Sequence, residues 1–125
     1  MEYITENDFL SRYPAFENKG MAREIEIALV DSKAIIDSYI QNRFDLTGEC
    51  NSPLLKRIAS DLTCYFIQIR NLQAKEDDQV AQLYNHAIKL LTQIRDGELS
   101  LELKTVNSDS NAVVVISTGG SYEYR

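Results

Sequence analysis

The 125-residue sequence predicts a mainly α protein: an antiparallel helical bundle of about four helices with a short C-terminal β hairpin or strand. Three observations lead there. Apolar residues recur at i, i+3/i+4 and i+7 through three long stretches, helix start and stop signals bracket those stretches, and beyond Gly97 the texture changes to period two and a β-branched run.

Thr5 followed three residues later by Asp8 is a variant of the capping box, and Phe9 and Leu10 offer apolar contacts before Pro14 ends the segment. A short first helix, about Glu6 to Arg12, is expected. After the turn Asn18-Lys19-Gly20, the stripe Ile25, Ala28, Leu29, Ile35, Ile36, Tyr39 and Ile40 predicts a long amphipathic helix from about Met21 to Arg43. A linker, Phe44 to Asn51, leads to Ser52-Pro53, where Ser can cap the orphan amides and Pro fits the first turn without losing a hydrogen bond. The third helix, expected to reach about Leu72, carries a broad stripe (Leu54, Leu55, Ile58, Ala59, Leu62, Tyr65, Phe66, Ile69, Leu72), as a central helix with two neighbours requires. Asp77 or Asp78 caps a fourth helix whose inward face reads Val80, Leu83, Tyr84, Ala87, Leu90, Leu91 and Ile94, with Gly97 placed to end it in a left-handed cap.

Residues 1–98 thus read as the helical domain and 99–125 as a β element with a tail. Leu99-Ser100-Leu101-Glu102-Leu103 alternates with period two, and Ala112-Val113-Val114-Val115-Ile116 is β-branched. An isolated hairpin is marginal in water, and valines with unpaired strand edges invite another chain, so Val113, Val114, Val115 and Ile116 are expected to bind a partner. Gly119-Gly120 lacks the helix with Lys and Ser or Thr that a phosphate loop needs and reads as a hinge before Tyr122 and Tyr124, the two tyrosines expected to meet a partner.

Charge and composition exclude several classes. A net charge of -6 argues against gripping nucleic acid, which draws on Lys and Arg neutralising phosphates. The acid is concentrated in residues 1–50, so an electronegative face is expected there. No run approaches the roughly 20 apolar residues of a membrane span, and the N-terminus lacks the regions of a signal peptide, so the protein is expected to stay where it is made. Cys50 and Cys64 are too few for a disulfide framework, and Cys64 falls in an apolar stripe as a small buried side chain would.

No catalytic, cofactor or metal site is expected. His86 is the single histidine, with no nucleophile or orienting group in a recognisable pattern, and reads as a packed or surface residue. Glu24, Glu26, Asp31 and Asp37 could suggest a magnesium site, but Glu24 and Glu26 point to different faces and no second helical acidic pair answers them; a solvated face is the better account.

The order of the pieces is more specific than any one of them. Tyr3-Ile4-Thr5-Glu6-Asn7-Asp8-Phe9 is followed by Ile27-Ala28-Leu29-Val30-Asp31-Ser32-Lys33, Ile36-Asp37-Ser38-Tyr39-Ile40 and Arg43-Phe44. Then come Ser52-Pro53-Leu54-Leu55 with Ala59-Ser60-Asp61-Leu62, Tyr84-Asn85-His86-Ala87-Ile88-Lys89-Leu90-Leu91 and Ile94-Arg95-Asp96-Gly97. Over roughly Tyr3 to Leu101 this resembles the Mu-like family of tailed-bacteriophage head-tail joining (neck or connector) proteins. The resemblance implies a non-enzymatic ring, commonly twelvefold and possibly a dodecamer here, between the portal protein and the tail-completion protein. DNA would pass through its channel without sequence-specific binding. The place of action it implies is the virion neck, and the host bacterial cytoplasm during assembly. It also implies helices packed side by side around the ring and a C-terminal extension reaching a neighbour or the portal. Family members often end in a Pro- and Arg-rich tail, whereas this chain ends Ser117-Thr118-Gly119-Gly120-Ser121-Tyr122-Glu123-Tyr124-Arg125, which leaves that tail's partner open.

The expected function is therefore a structural head-tail connector, with the acidic N-terminal half lining the DNA channel. The alternative is a small cytoplasmic helical regulatory or antitoxin-like module of prophage origin that binds one partner through the same tail and forms a low-order oligomer without a ring.

Overall fold

The computed structural model describes residues 1–70, 78–101 and 103–106. The chain order is α1 (Glu6–Arg12), a 3₁₀ turn (Pro14–Phe16), α2 (Ala22–Ile40), α3 (Pro53–Arg70) and α4 (Asp78–Arg95). α3 packs on α1, α2 and α4, and α2 also touches α4, so the three long helices form a triangle with α1 laid over the α2–α3 side. The central place expected for the third helix follows from its burial of Leu55, Ile58, Ala59, Leu62, Cys64 and Ile67.

Local signals account for the helix ends. Thr5 Oγ1 accepts from the Asp8 amide and the Asp8 carboxylate accepts from the Thr5 amide, closing the capping box at α1. The Thr5 amide also holds the Asp8 carboxyl below the usual carboxylate range. Ser52 Oγ accepts from the Leu55 amide with Pro53 in the first turn of α3. At the end of α4, Gly97 takes φ +87°, its amide donates to Ile94 O, and the Glu98 amide donates to Gln93 O, the paired bonds of a Schellman cap.

The sequence expectation needs four corrections. α2 stops at Ile40, not near Arg43, because the amides of Arg43 and Phe44 both turn back to Ile40 O and the chain then runs extended. The Pro14–Phe16 turn was read only as an end signal; Phe16 closes an aromatic cluster there with Phe9 and Tyr13. Ile69, assigned inward on α3, is exposed, while Ile67 takes the buried position. Leu99 to Leu103 is not a strand among the described residues: Leu99, Leu101 and Leu103 pack against the helical core, and pairing is confined to one antiparallel bridge between Phe44 and Thr105. The second expected strand, Ala112 to Ile116, lies outside the described residues, as do Asp77, Gly119-Gly120, Tyr122 and Tyr124.

The core holds one polar seam. Ser32 Oγ on α2 and Thr63 Oγ1 on α3 lie 3.0 Å apart, and each also reaches the carbonyl four residues before it, Ala28 O at 2.8 Å and Ala59 O at 2.7 Å. Two protons serve three contacts, so whichever hydroxyl donates across the interface releases a carbonyl that the helix already satisfies.

Candidate functional site

Two tyrosines of the N-terminal segment reach carboxylates on successive helices in the same manner. Tyr3 Oη donates to Asp37 Oδ1 at 2.5 Å, and Lys33, one turn earlier on α2, donates to Asp37 Oδ2 at 2.8 Å. Tyr13 Oη donates to Asp61 Oδ1 at 2.6 Å, with Arg57, one turn earlier on α3, 3.9 Å from Asp61 Oδ2. Burial and the neighbouring carboxylate push both phenols above their usual range, which keeps them protonated as donors. These cation–carboxylate–phenol groups fasten both ends of α1 to the bundle. Asp37, read from the sequence as part of a solvated face, and Asp61 are therefore hydrogen-bond acceptors for tyrosines.

The acidic side chains that raised the magnesium reading do not gather. Asp37 is engaged by Tyr3 and Lys33, and among the described residues no three His, Cys, Asp or Glu side chains are placed to share a metal ion. His86 is exposed on α4. Cys50 and Cys64 are buried and unbridged, and burial raises the Cys64 thiol to about 11. No described helix is long and apolar enough to cross a membrane.

What remains is surface shape. An open groove of about 590 Å³ runs between α3 and α4, lined by Arg57, Asp61, Gln79, Gln82, Leu83, Asn85, His86 and Lys89. At the far end of the bundle, Arg43 joins three segments. Its guanidinium donates to Ile94 O at the end of α4 and stacks over Phe44, while its own carbonyl accepts from the Val106 amide at 3.0 Å. The Asp45 amide completes the pairing by donating to Lys104 O at 2.7 Å. These two bonds flank the Phe44–Thr105 pair, so Thr105 turns its own N–H and C=O outward. Neither has a partner among the described residues, and Thr105 and Val106 are exposed. Among the described residues the edge thus stands open, at the point where the chain continues toward Val113–Ile116.

The sequence profile of the family described as "Bacteriophage Mu, Gp36" matches residues 3–116, which includes every described helix and the Arg43 junction. The chain belongs to the bacteriophage Mu Gp36 family. Similar proteins include "Gene product J" of Escherichia phage Mu, 28% identical over 109 residues that cover 78% of this chain and 74% of that protein. "Mu-like prophage FluMu protein gp36" of Haemophilus influenzae is 28% identical over 95 residues. That match covers 73% of this chain and 64% of the relative, just under two thirds of its length. As a Gp36-family chain, the protein turns outward, among the described residues, the α3–α4 groove and the Thr105 edge. The residues singled out in the sequence for partner contact, Val113 to Ile116, Tyr122 and Tyr124, lie beyond them. The groove was missed because it is made by side chains from two helices, none of which forms a motif within one of them.

Proposed function

We propose that this Gp36-family chain is a head-tail connector: a head-completion adaptor that assembles as a ring between the portal protein and the tail-completion protein, leaving a channel for DNA. Membership of a phage Mu family, over the whole helical domain, is the observation that carries the reading. The structure supports it with a rigid, capped bundle that commits its half-buried carboxylates to internal hydrogen bonds and keeps grooves and an open strand edge outward. Such a part works by surface complementarity, not by chemistry. A net charge of -6 suits a wall that DNA slides past without being held. In this reading Val113–Ile116 add as a strand to an open edge on a neighbouring subunit or the portal, Tyr122 and Tyr124 anchor the end beyond the Gly119-Gly120 hinge, and the site of action is the virion neck.

The test is native mass spectrometry of the full chain across a concentration series, alone and with the phage's portal protein, beside a chain lacking Ser108 to Arg125. Ring-sized species, or a stoichiometric complex with the portal, that disappear on truncation are expected. A monomer or dimer at every concentration that ignores the portal would overturn the connector reading in favour of a regulatory module.

A further inference from the structure

Two surface features face outward among the described residues. The first is the outward ridge of α2. Val30 is 63% exposed, Ala34 and Ser38 follow it at helical spacing, and Ile27 beside it is only half-buried; neither Ile27 nor Val30 joins the buried cluster of the described residues. Glu24, Glu26 and Asp31 flank this strip. Counting Arg23 on the first turn and the Lys33–Asp37 pair beside Val30, four carboxylates stand against two cations and the ridge is net negative. The second feature is the α3–α4 groove, where Arg57, Lys89 and His86 surround Leu83 and the amide side chains of Gln79, Gln82 and Asn85 form the rim. The one carboxylate among its described lining residues, Asp61, accepts from the Tyr13 hydroxyl on one oxygen and faces Arg57 on the other.

We propose that the α2 ridge of one copy of this chain seats in the α3–α4 groove of the next, head to tail. The inference rests on the ring reading above and names the subunit contact. The charges are complementary: an acidic, apolar-centred ridge meets a groove whose described lining carries Lys89 beyond the Arg57–Asp61 pair, with Leu83 on its floor. The small side chains of Ala34 and Ser38 let the α2 backbone approach closely, as a helix lying in a groove requires. Position agrees as well. Because α2 packs against both α3 and α4, its free side points away from them, while their shared outer groove opens on the opposite side of the triangle. Faces on opposite sides cannot pair by a twofold axis; they join copies in one direction, which closes into a ring when the rotation allows. Glu24, Glu26 and Asp31 then belong to the subunit contact, and the DNA channel is left to the remaining acids.

Directional cross-linking tests this in the full chain, since the native thiols Cys50 and Cys64 are buried. A Val30→Cys chain mixed with a Gln82→Cys chain and treated with a short bis-maleimide is expected to give a cross-linked dimer that neither chain gives alone, and the doubly substituted chain a ladder of multimers. A Gln82→Glu, Lys89→Glu chain is expected to self-associate at least tenfold more weakly, and a partner chain carrying Glu24→Arg and Asp31→Arg to restore association. Unchanged thermal melting would show that these surface variants still fold. Cross-linking of the Val30→Cys chain to itself, or ring-sized species that never link position 30 to position 82, would overturn this contact while leaving the ring reading intact. Absence of both oligomer and cross-link, with the portal present, would overturn both.

Discussion

Tyr13 donates its hydroxyl to Asp61 at 2.6 Å across 48 positions of sequence, and Tyr3 repeats the contact to Asp37 at 2.5 Å across 34. The seven-residue helix between them is too short to persist alone, so these two bonds and the buried Phe9 hold it in place. Tyr13→Phe and Tyr3→Phe each remove a bond to a carboxylate that keeps its cation and some solvent, and each is expected to cost about 1–2 kcal/mol in urea unfolding. If Tyr13→Phe unfolds at the wild-type midpoint, the bond does not hold α1.

Alkaline pH tests the same pair. Both phenols titrate higher in the fold than in the unfolded chain, where a tyrosine ionises near pH 10. Below that pH both states keep their protons and the full contribution is present. Above it the unfolded chain releases protons that the fold retains, so stability falls as pH rises, by at most about 1.4 kcal/mol per pH unit for each tyrosine. Denaturation midpoints at pH 9 to 11 should decline less steeply in the Tyr3→Phe, Tyr13→Phe double variant than in the wild type. Parallel declines would assign the loss to other groups.

Burial also governs the thiols. Cys64 is raised to about 11 by desolvation and Cys50 is enclosed beside Ser52, so neither is expected to react with a thiol reagent at pH 8 faster than the fold opens. Two thiols should titrate at once in denaturant and none promptly without it. Prompt labelling of one in the native protein would show that its surroundings open locally.

The Arg43 junction predicts two effects of different origin. Arg43→Ala removes the cap on Ile94 O and the stack on Phe44, and should cost about 2 kcal/mol while speeding hydrogen exchange at Val106. Gly97→Ala places its Cβ at ordinary contact distance, 3.8 Å, from the Arg43 guanidinium, so its cost of about 1–2 kcal/mol comes from a side chain at φ +87°, not from crowding. Gly97→Asn, which tolerates that conformation, should recover part of the loss.

The helices were legible because their signals are local: Thr5 with Asp8, Ser52 with Pro53, and Gly97 each act within one turn. The period-two leucines were legible as extended chain but not as to what they meet. Alternation reports one covered face, and here the α-helical core covers it where a strand pair was expected. Asp37 and Asp61 showed a faint signal, a basic residue four positions earlier in each case, but nothing in the sequence ties them to Tyr3 and Tyr13. That pairing depends on how α1 lies across two helices, as the groove depends on how α3 meets α4.

The Ser32–Thr63 seam separates polar specificity from polar fragility. A buried hydroxyl whose single partner is deleted usually leaves an unsatisfied group. Here each hydroxyl has its own helix carbonyl to fall back on, Ala28 O for Ser32 and Ala59 O for Thr63. Thr63→Val keeps the side-chain shape and leaves Ser32 bonded to Ala28 O, so it should cost under about 1 kcal/mol, and Ser32→Ala with Thr63→Val together no more than the sum of the two, since no hydroxyl is left without a partner. Leu62→Ala, on the same turn of α3 and fully buried, should cost about 2–5 kcal/mol, because the cavity it leaves has no such alternative. A Thr63→Val cost approaching that of Leu62→Ala in the same urea titration would show that the interhelical hydroxyl bond, and not the fallback to a helix carbonyl, sets the energetics.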